Sequence, residues 1–401
     1  MRFLTVIICF LLCADCGFAQ IRQQAGKTEI RYIGPDDLAG SSDAVIVDEV
    51  PLAHTRLFLS TDEKGNIIGK DNLNTQFKQI FAALAQSLKA AGSGTEKIIK
   101  LNVFLKDPGM MNEVGSLING RFAKGMKPSV TYVAGDLSHP DALLSIDAVA
   151  VSERNSEKVS FVEKNKGFAD VAILPKGPVV YVSGQAAKGN LAEATKGTLE
   201  QLRETLISLG LTLKDVVQVK SFLSPMSSID MVKKEFSDFF KTEKVPPLVF
   251  VDWISSDPVI EIELIAASPA KTQNAATDRI EFLTPPGMTA SPVYSKVTRL
   301  NQGKKIYISS IHGKRSESTD AELLEVFSSL NNVLTASGSD FNNLLKATYY
   351  IGSDPYSKSL SDLRPRYYDP KRPPAASKAK VKGVGIQDSG VSIDMIATVR
   401  E

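Results

Sequence analysis

Few side chains in this 401-residue chain are of the kinds that carry covalent or metal chemistry, and their placement narrows the field further. All three cysteines (Cys9, Cys13 and Cys16) fall within the first twenty residues. Cys13-Ala14-Asp15-Cys16 has the spacing of a redox or metal motif. It lies, however, behind Arg2 and an apolar run from Phe3 to Leu12, and Gly17-Phe18-Ala19 sets small residues ahead of Gln20. That is the anatomy of an export signal, and the run is too short to span a bilayer. A signal peptide over residues 1–19 is therefore expected, leaving a mature chain with no disulfide, thiolate nucleophile or cysteine-based metal site. The three histidines (His54, His139 and His312) recur at no common spacing and are expected in loops or at the surface rather than as a ligand set. No metal or cofactor is expected. Lys378, Lys380 and Lys382 alternate, which places them on one face of a strand. They read either as lysines guarding an edge strand or as an anion pocket.

The balance of charge excludes other partners. The formal net charge is +2, and removing residues 1–19 takes away Arg2 and Asp15, one of each sign. No basic groove with interleaved aromatics argues for nucleic acid, and no second apolar run is long enough for a membrane. At 43% hydrophobic, the chain can bury substantial cores, and its length suits two or three domains.

Stability without disulfides must come from the elements themselves, and these repeat. Three stretches carry apolar residues three, four and seven apart: Phe77, Ile80, Phe81, Leu84 and Leu88; Leu199, Leu202, Leu206 and Leu209; Leu323, Phe327, Leu330 and Leu334. Each predicts a helix with one buried face, and each ends on a glycine, Gly92, Gly210 or Gly338. A β-rich run follows every glycine: Ile98 to Leu105, Val216 to Leu223, Leu344 to Ile351. A second helix then closes on Phe122, Phe240 or Tyr368, with Pro128, Pro246 or Pro374 six residues beyond. The glycines are 118 and 128 residues apart, and so are the prolines. Two independent landmarks with the same offsets establish three copies of one β-β-α-β-α-β-β unit. The copies are expected over residues 20–155, 156–270 and 278–401, with polar linkers at 152–158 and 268–277. A sheet with both helices on one face must bury its other face, so three copies in one chain are expected to close around a pseudo-threefold axis as a monomer.

The middle copy carries Tyr181-Val182-Ser183-Gly184-Gln185 before its first helix, Asp215-Val216-Val217 at the next strand, Pro246-Pro247 after the second helix and Ile260-Glu261-Ile262-Glu263 in the last strand. These motifs resemble the RidA (YjgF, L-PSP endoribonuclease) family, and the resemblance recurs once per copy. It implies an α+β fold of chorismate-mutase-like units arranged as a pseudo-trimer, with sites in the clefts between units. It also implies hydrolysis of 2-imino acids such as 2-iminobutanoate or 2-iminopropanoate to 2-keto acids and ammonia. In such a site an arginine two residues after the strand proline clamps the substrate carboxylate, an acid of the last strand orients water, and the Ser-Gly-Gln segment holds the imine.

Carried onto this sequence, the clamp position is Val130, Leu248 and Ala376, and the acid position Ser145, Glu261 and Ser392. The Ser-Gly-Gln segment corresponds to Ser60-Thr61-Asp62 in the first copy and Ser309-Ser310-Ile311 in the third. Glu261 is the one candidate catalytic acid, and Ser183, Gly184 and Gln185 are candidate substrate-binding residues. Lys378, two residues beyond Ala376, could stand in for the missing guanidinium. The expectation is an exported pseudo-trimer, secreted or periplasmic, binding a small anion such as a 2-imino or 2-keto acid. The enzyme alternative is the deaminase reaction using a relocated cation.

Overall fold

The three β-rich runs form strands with the expected bounds, and the helix-ending glycines act as stops. A computed structural model describes residues 30–163, 167–241, 243–269, 278–314, 316, 318–386 and 389–400. The expected signal peptide and residues 270–277 of the second linker lie outside the described residues. Repeat 1 contributes β1 (Ile30–Asp36), β2 (Ser41–Val47), β3 (Leu52–Thr55), α1 (Leu73–Ala90), β4 (Ile98–Leu105), α2 (Met111–Asn119), β5 (Ser129–Ala134) and β6 (Leu144–Val151). Repeat 2 contributes β7 (Ser160–Val162), β8 (Val171–Leu174), β9 (Val179–Gln185), α3 (Leu191–Ser208), β10 (Val216–Leu223), α4 (Ile229–Phe240), β11 (Leu248–Asp252) and β12 (Ile260–Ala267). Repeat 3 contributes β13 (Ile280–Leu283), β14 (Val297–Leu300), β15 (Lys305–Ile308), β16 (Ile311–His312), α5 (Thr319–Ala336), β17 (Leu344–Ile351), α6 (Asp354–Leu363), β18 (Ala375–Lys380) and β19 (Val391–Thr398).

The first helix of each repeat begins on a polar cap: Asn72 accepts from Thr75 N–H, Asn190 from Glu193 N–H, and Ser318 from Ala321 N–H. Each is followed by its glycine in the left-handed region, at φ of 68°, 73° and 71° for Gly92, Gly210 and Gly338. A side chain there would cost free energy, so the spacing of the three glycines is a backbone requirement. The apolar helix faces pack on their sheets as three separate cores, centred on Phe77, Leu84 and Ile146, on Leu202, Phe236 and Ile262, and on Phe327, Leu330 and Ile393.

The sheets are composite, which the repeat pattern did not foretell. Their strand orders are β5-β4-β6-β3-β8-β7, β11-β10-β12-β9-β14-β13 and β1-β2-β15-β19-β17-β18. The first two strands of every repeat thus join a neighbouring repeat's sheet, and β1 and β2 close the ring on repeat 3. Segments 48–51, 175–178 and 301–304 carry the chain from one sheet to the next. Val47 pairs with Lys305, Leu174 with Leu52, and Leu300 with Val179, the same register three times. The expected boundaries at 155 and 270 therefore divide sequence copies, while each folded sheet draws on two of them.

The inner faces meet on the pseudo-threefold axis in a fourth core that includes Ile99, Val217 and Leu345, one from each copy. A β-bulge follows in each strand, between Ile98 and Lys100, Val216 and Gln218, and Leu344 and Lys346. The extra residue turns Lys100, Gln218 and Lys346 toward the axis beside the preceding apolar residue. Lys100 Nζ lies 2.7 Å from Asp394 Oδ1 of repeat 3, and Lys346 Nζ lies 2.5 Å from Glu263 Oε2 of repeat 2. The third equivalent, Gln218, donates instead to Thr55 O at 2.8 Å, while Asp147 accepts from Asn102 at 2.9 Å. Burial pushes the Asp147 carboxyl up to about 6. Below this polar layer Phe104, Phe222 and Tyr350 rebuild an apolar one.

Breaking one partner of a buried pair leaves an uncompensated charge. Lys100→Met should destabilise the protein by about 3–5 kcal/mol in urea unfolding, and Lys100→Met combined with Asp394→Leu should recover most of that loss. A single variant as stable as the parent would show that the pair does not hold repeats 1 and 3 together.

Candidate functional site

The one acid at a family-type position sits in a cleft of about 190 Å³ between repeats 2 and 3. Its lining joins Gly184 and Glu261 of repeat 2 to Tyr294, Arg364, Ala376, Ser377 and Lys378 of repeat 3. Parallel pairing of β17 with β18 and the end of β9 bring these together. Ser183 Oγ donates to Ser295 O and accepts from Ala376 N–H at 2.7 Å, so it fastens the two repeats. Gly184 N–H donates to Ser377 Oγ at 3.1 Å. A Cβ at Gly184 would overlap the Glu261 carboxylate, so glycine here makes room for the acid.

Glu261 Oε1 is buried without a hydrogen-bond partner. Burial, then the neighbouring Glu263 carboxylate, pushes its pKa from 4.5 to about 7, against the pull of Ser377, Lys346 and Lys378. Lys378 is half-buried and donates to Ser357 Oγ at 2.7 Å. Its pKa is lowered by burial and next by the Arg364 guanidinium. Arg364 is 8% exposed, with its guanidinium 5.2 Å from the Tyr349 ring and its Nε unpaired. A carboxyl that titrates near neutrality can take a proton from water, and two cations beside it can hold an anion.

Three of the five expected site residues, Gly184, Glu261 and Lys378, line one cleft, and Ser183 stands behind it with its hydroxyl bonded to Ser295 O and Ala376 N–H. Gln185 does not line it; its amide turns to Thr205 Oγ1 on α3, at 2.8 Å. Arg364 went unread in the sequence. Counting four residues back from the closing aromatic gives Ile118, Phe236 and Arg364, so a charge stands where the other copies bury apolar side chains, and that contrast was the available signal. Clamp and acid also come from different copies. Ala376 faces Glu261, while Leu248 lines the cleft between repeats 1 and 2.

That second cleft, of about 320 Å³, holds Arg56 paired to Asp170 at 2.5 Å and stacked on Phe58 at 4.2 Å. Leu57 N–H bonds Leu248 O just as Ser310 N–H bonds Val130 O. The first copy's counterpart of Ser183-Gly184-Gln185 is therefore Arg56-Leu57-Phe58, not Ser60-Thr61-Asp62. A third cleft, of about 480 Å³, lies between repeats 3 and 1. Two of the expected surface histidines are interior. His54 is 1% exposed, at the position Tyr181 and Tyr307 fill in the other copies, and burial lowers its pKa to about 3. His312 lines the third cleft. Of the alternating lysines, Lys380 pairs with Asp354 at 2.8 Å and Lys382 with Asp136 at 2.5 Å. Among the described residues no cluster of three or more His, Cys, Asp or Glu is placed to hold a metal, and no helix is long and apolar enough to cross a membrane.

The family described as Endoribonuclease L-PSP matches residues 57–152 and 164–268, half of the chain. The chain belongs to this family. A RutC family protein of Synechocystis is 34% identical over 85 residues, 21% of this chain and 65% of the relative. A RutC family protein of Pyrococcus abyssi is 30% identical over 90 residues, 22% of this chain and 71% of the relative. Among solved structures, a Rid family protein of Yersinia pestis is 21% identical, covering 30% of this chain and 98% of its own, with a TM-score of 0.29. A YjgF family member of Neisseria meningitidis is 18% identical, covering 30% and 96%, with a TM-score of 0.24. The two family matches fall one in repeat 1 and one in repeat 2, in keeping with RidA-type α+β units in tandem.

Because the folded pKa of Glu261 lies above its ordinary 4.5, the folded state binds the extra proton, and its stability contribution falls as pH rises from 4.5 through about 7. Glu261→Gln should match the parent in unfolding free energy near pH 4 and exceed it progressively up to neutral pH. A carboxyl resonance titrating at the ordinary value, with no such divergence, would remove Glu261 as a base tuned for neutral pH.

Proposed function

We propose that the cleft between repeats 2 and 3 binds a small 2-imino acid and hydrolyses it to the 2-keto acid and ammonia. The observation that carries this reading is Arg364. It lines the cleft beside Glu261, where the clamp position is only Ala376, whose short side chain leaves the space open. The Arg364 guanidinium would take the substrate carboxylate as a two-point charged pair, with Lys378 adding a second positive charge. Glu261, ionised in part at neutral pH, accepts a proton as water oxygen bonds to the imine carbon, and the C=N electron pair moves to nitrogen. Glu261 hands that proton to the nitrogen, giving the neutral carbinolamine. It then takes the hydroxyl proton as C=O forms and the C–N bond breaks, and passes it to the departing nitrogen, which leaves as ammonia. One water is consumed and one C=N bond becomes C=O.

The other two clefts have serine, Ser145 or Ser392, at the acid position, so turnover is assigned to one site per chain. The protein is read as a monomeric pseudo-trimer that needs no partner chain, metal or cofactor. Its place is outside the cytoplasm, secreted or periplasmic, on the pattern of residues 1–19. Neither nucleic acid nor a membrane surface is a suggested partner, given a net charge of +2.

The test is keto-acid release from 2-iminobutanoate generated in situ by an amino-acid oxidase, measured above the buffer rate. Glu261→Gln should lower kcat by about 10²–10⁴. Arg364→Met should raise KM by roughly 10- to 100-fold, the worth of a charged hydrogen-bonded pair. Parent-like turnover by Arg364→Met would refute the relocated clamp. Calorimetric binding of 2-oxobutanoate by a parent protein that releases no keto acid would leave a binding role in place of turnover.

A further inference from the structure

The cleft between repeats 3 and 1 is the roomiest of the three and has a different chemistry. Ser310 and His312 of repeat 3 face Tyr132, Val130, Met111 and Asp36 of repeat 1 across about 480 Å³. No lysine or arginine is part of the lining. Asp36, its one carboxylate, already accepts from the N–H groups of Leu38 and Ala39. A carboxylate ligand would find no counter-charge here, in contrast to the cleft holding Arg364.

Two buried groups along this cleft lack a protein partner: the Tyr132 hydroxyl and His312 Nδ1. Tyr132 is 7% exposed, so its hydroxyl is cut off from bulk water. His312 Nε2 lies 2.8 Å from Ser310 Oγ, and burial lowers the imidazole to about 4, which keeps it neutral at pH 7. A buried polar group with nothing to bond costs free energy, and a ligand head group that bonds it recovers that cost. A Cβ at Gly115 would stand 3.5 Å from the Tyr132 hydroxyl, so glycine there keeps the space beside it open. At the mouth stand Leu38, 89% exposed, and Ile386, 37% exposed, two of the few large apolar side chains on the surface. Apolar residues lining a concave site around a few convergent polar groups are the usual make-up of a small-molecule pocket.

We propose that this cleft is a second binding site, for an uncharged amphipathic small molecule. Its aliphatic or aromatic body packs against Leu38, Met111 and Val130, and its hydroxyl or carbonyl head bonds Tyr132 and His312. The site is independent of the imino-acid reading, since it shares no residue with the cleft of Glu261.

A matched pair of probes isolates the claim: 2-phenylethanol and phenylacetate share a body and differ in the charge of the head. Ligand-observed NMR titration of the protein should show saturable binding of the alcohol and about tenfold or more weaker binding of the carboxylate, whose charge would be buried unpaired. Tyr132→Phe removes a hydroxyl that no protein group bonds, so the fold should melt as the parent does while the alcohol binds about fivefold more weakly. A crystal soaked in the alcohol should show its hydroxyl beside Tyr132. No saturable binding at millimolar alcohol, equal affinity for phenylacetate, an unchanged Tyr132→Phe, or density only in the Arg364 cleft would each overturn the proposal.

Discussion

The inward faces of three sheets must be buried against one another, and the ion pairs on the axis set the terms on which they do so. Lys100–Asp394 and Lys346–Glu263 each join residues of different repeats, beside an axial core rich in valine, leucine, isoleucine, alanine and tyrosine. A charged pair in such surroundings is tolerated only in good geometry, and Lys100 meets that condition with Thr131 Oγ1 at 2.7 Å and Ile308 O at 2.6 Å as further acceptors. The same demand fixes the rotation of one sheet against the next.

Fusion of the copies into one chain releases the three clefts from identity. In an assembly of identical subunits a substitution appears at every site; here Glu261, Ser145 and Ser392 diverge independently, as do Ala376, Leu248 and Val130. The outcome is three environments on one scaffold. Between repeats 2 and 3, two cations flank an acid held near neutrality. Between repeats 1 and 2, Arg56 is consumed by Asp170 and Phe58. Between repeats 3 and 1, Asp36 is the one charged lining residue, and the unpartnered polar groups, Tyr132 and His312, are neutral. The pseudo-symmetry of the backbone is kept by the bulges and the glycine stops, none of which touches the clefts.

The Glu261 site also shows how a strand can accommodate a buried acid. Gly184 yields the volume that the carboxylate occupies, and Ser377 and Lys378 come from the opposing repeat to meet it. The acid therefore depends on interdigitation between repeats, and a separated repeat 2 would leave it exposed to water with an ordinary pKa.

The sequence by itself determined everything that depends on local periodicity and backbone geometry. The helices, their glycine stops, the central strands and the threefold repetition follow from residue spacing, because a buried helix face and a left-handed glycine leave a pattern within a few neighbours, while Ser183, Gly184 and Glu261 came from the resemblance of the middle copy's motifs to the family. What tertiary structure decided is which partner each element chose. A hairpin between β2 and β3 and an exchange of β2 onto β15 would each pair the strand's backbone groups, so no local pattern separates them. Arg364 was hidden for the same reason: it interrupts an apolar helix face, and only the opposing repeat turns that interruption into a cation beside Glu261. The match of Arg56-Leu57-Phe58 to Ser183-Gly184-Gln185 needed the pairing register, since serine at Ser60 was the better match in residue type. Clamp and acid came from different copies because a cleft is a property of two surfaces in contact, and a linear sequence presents them one at a time.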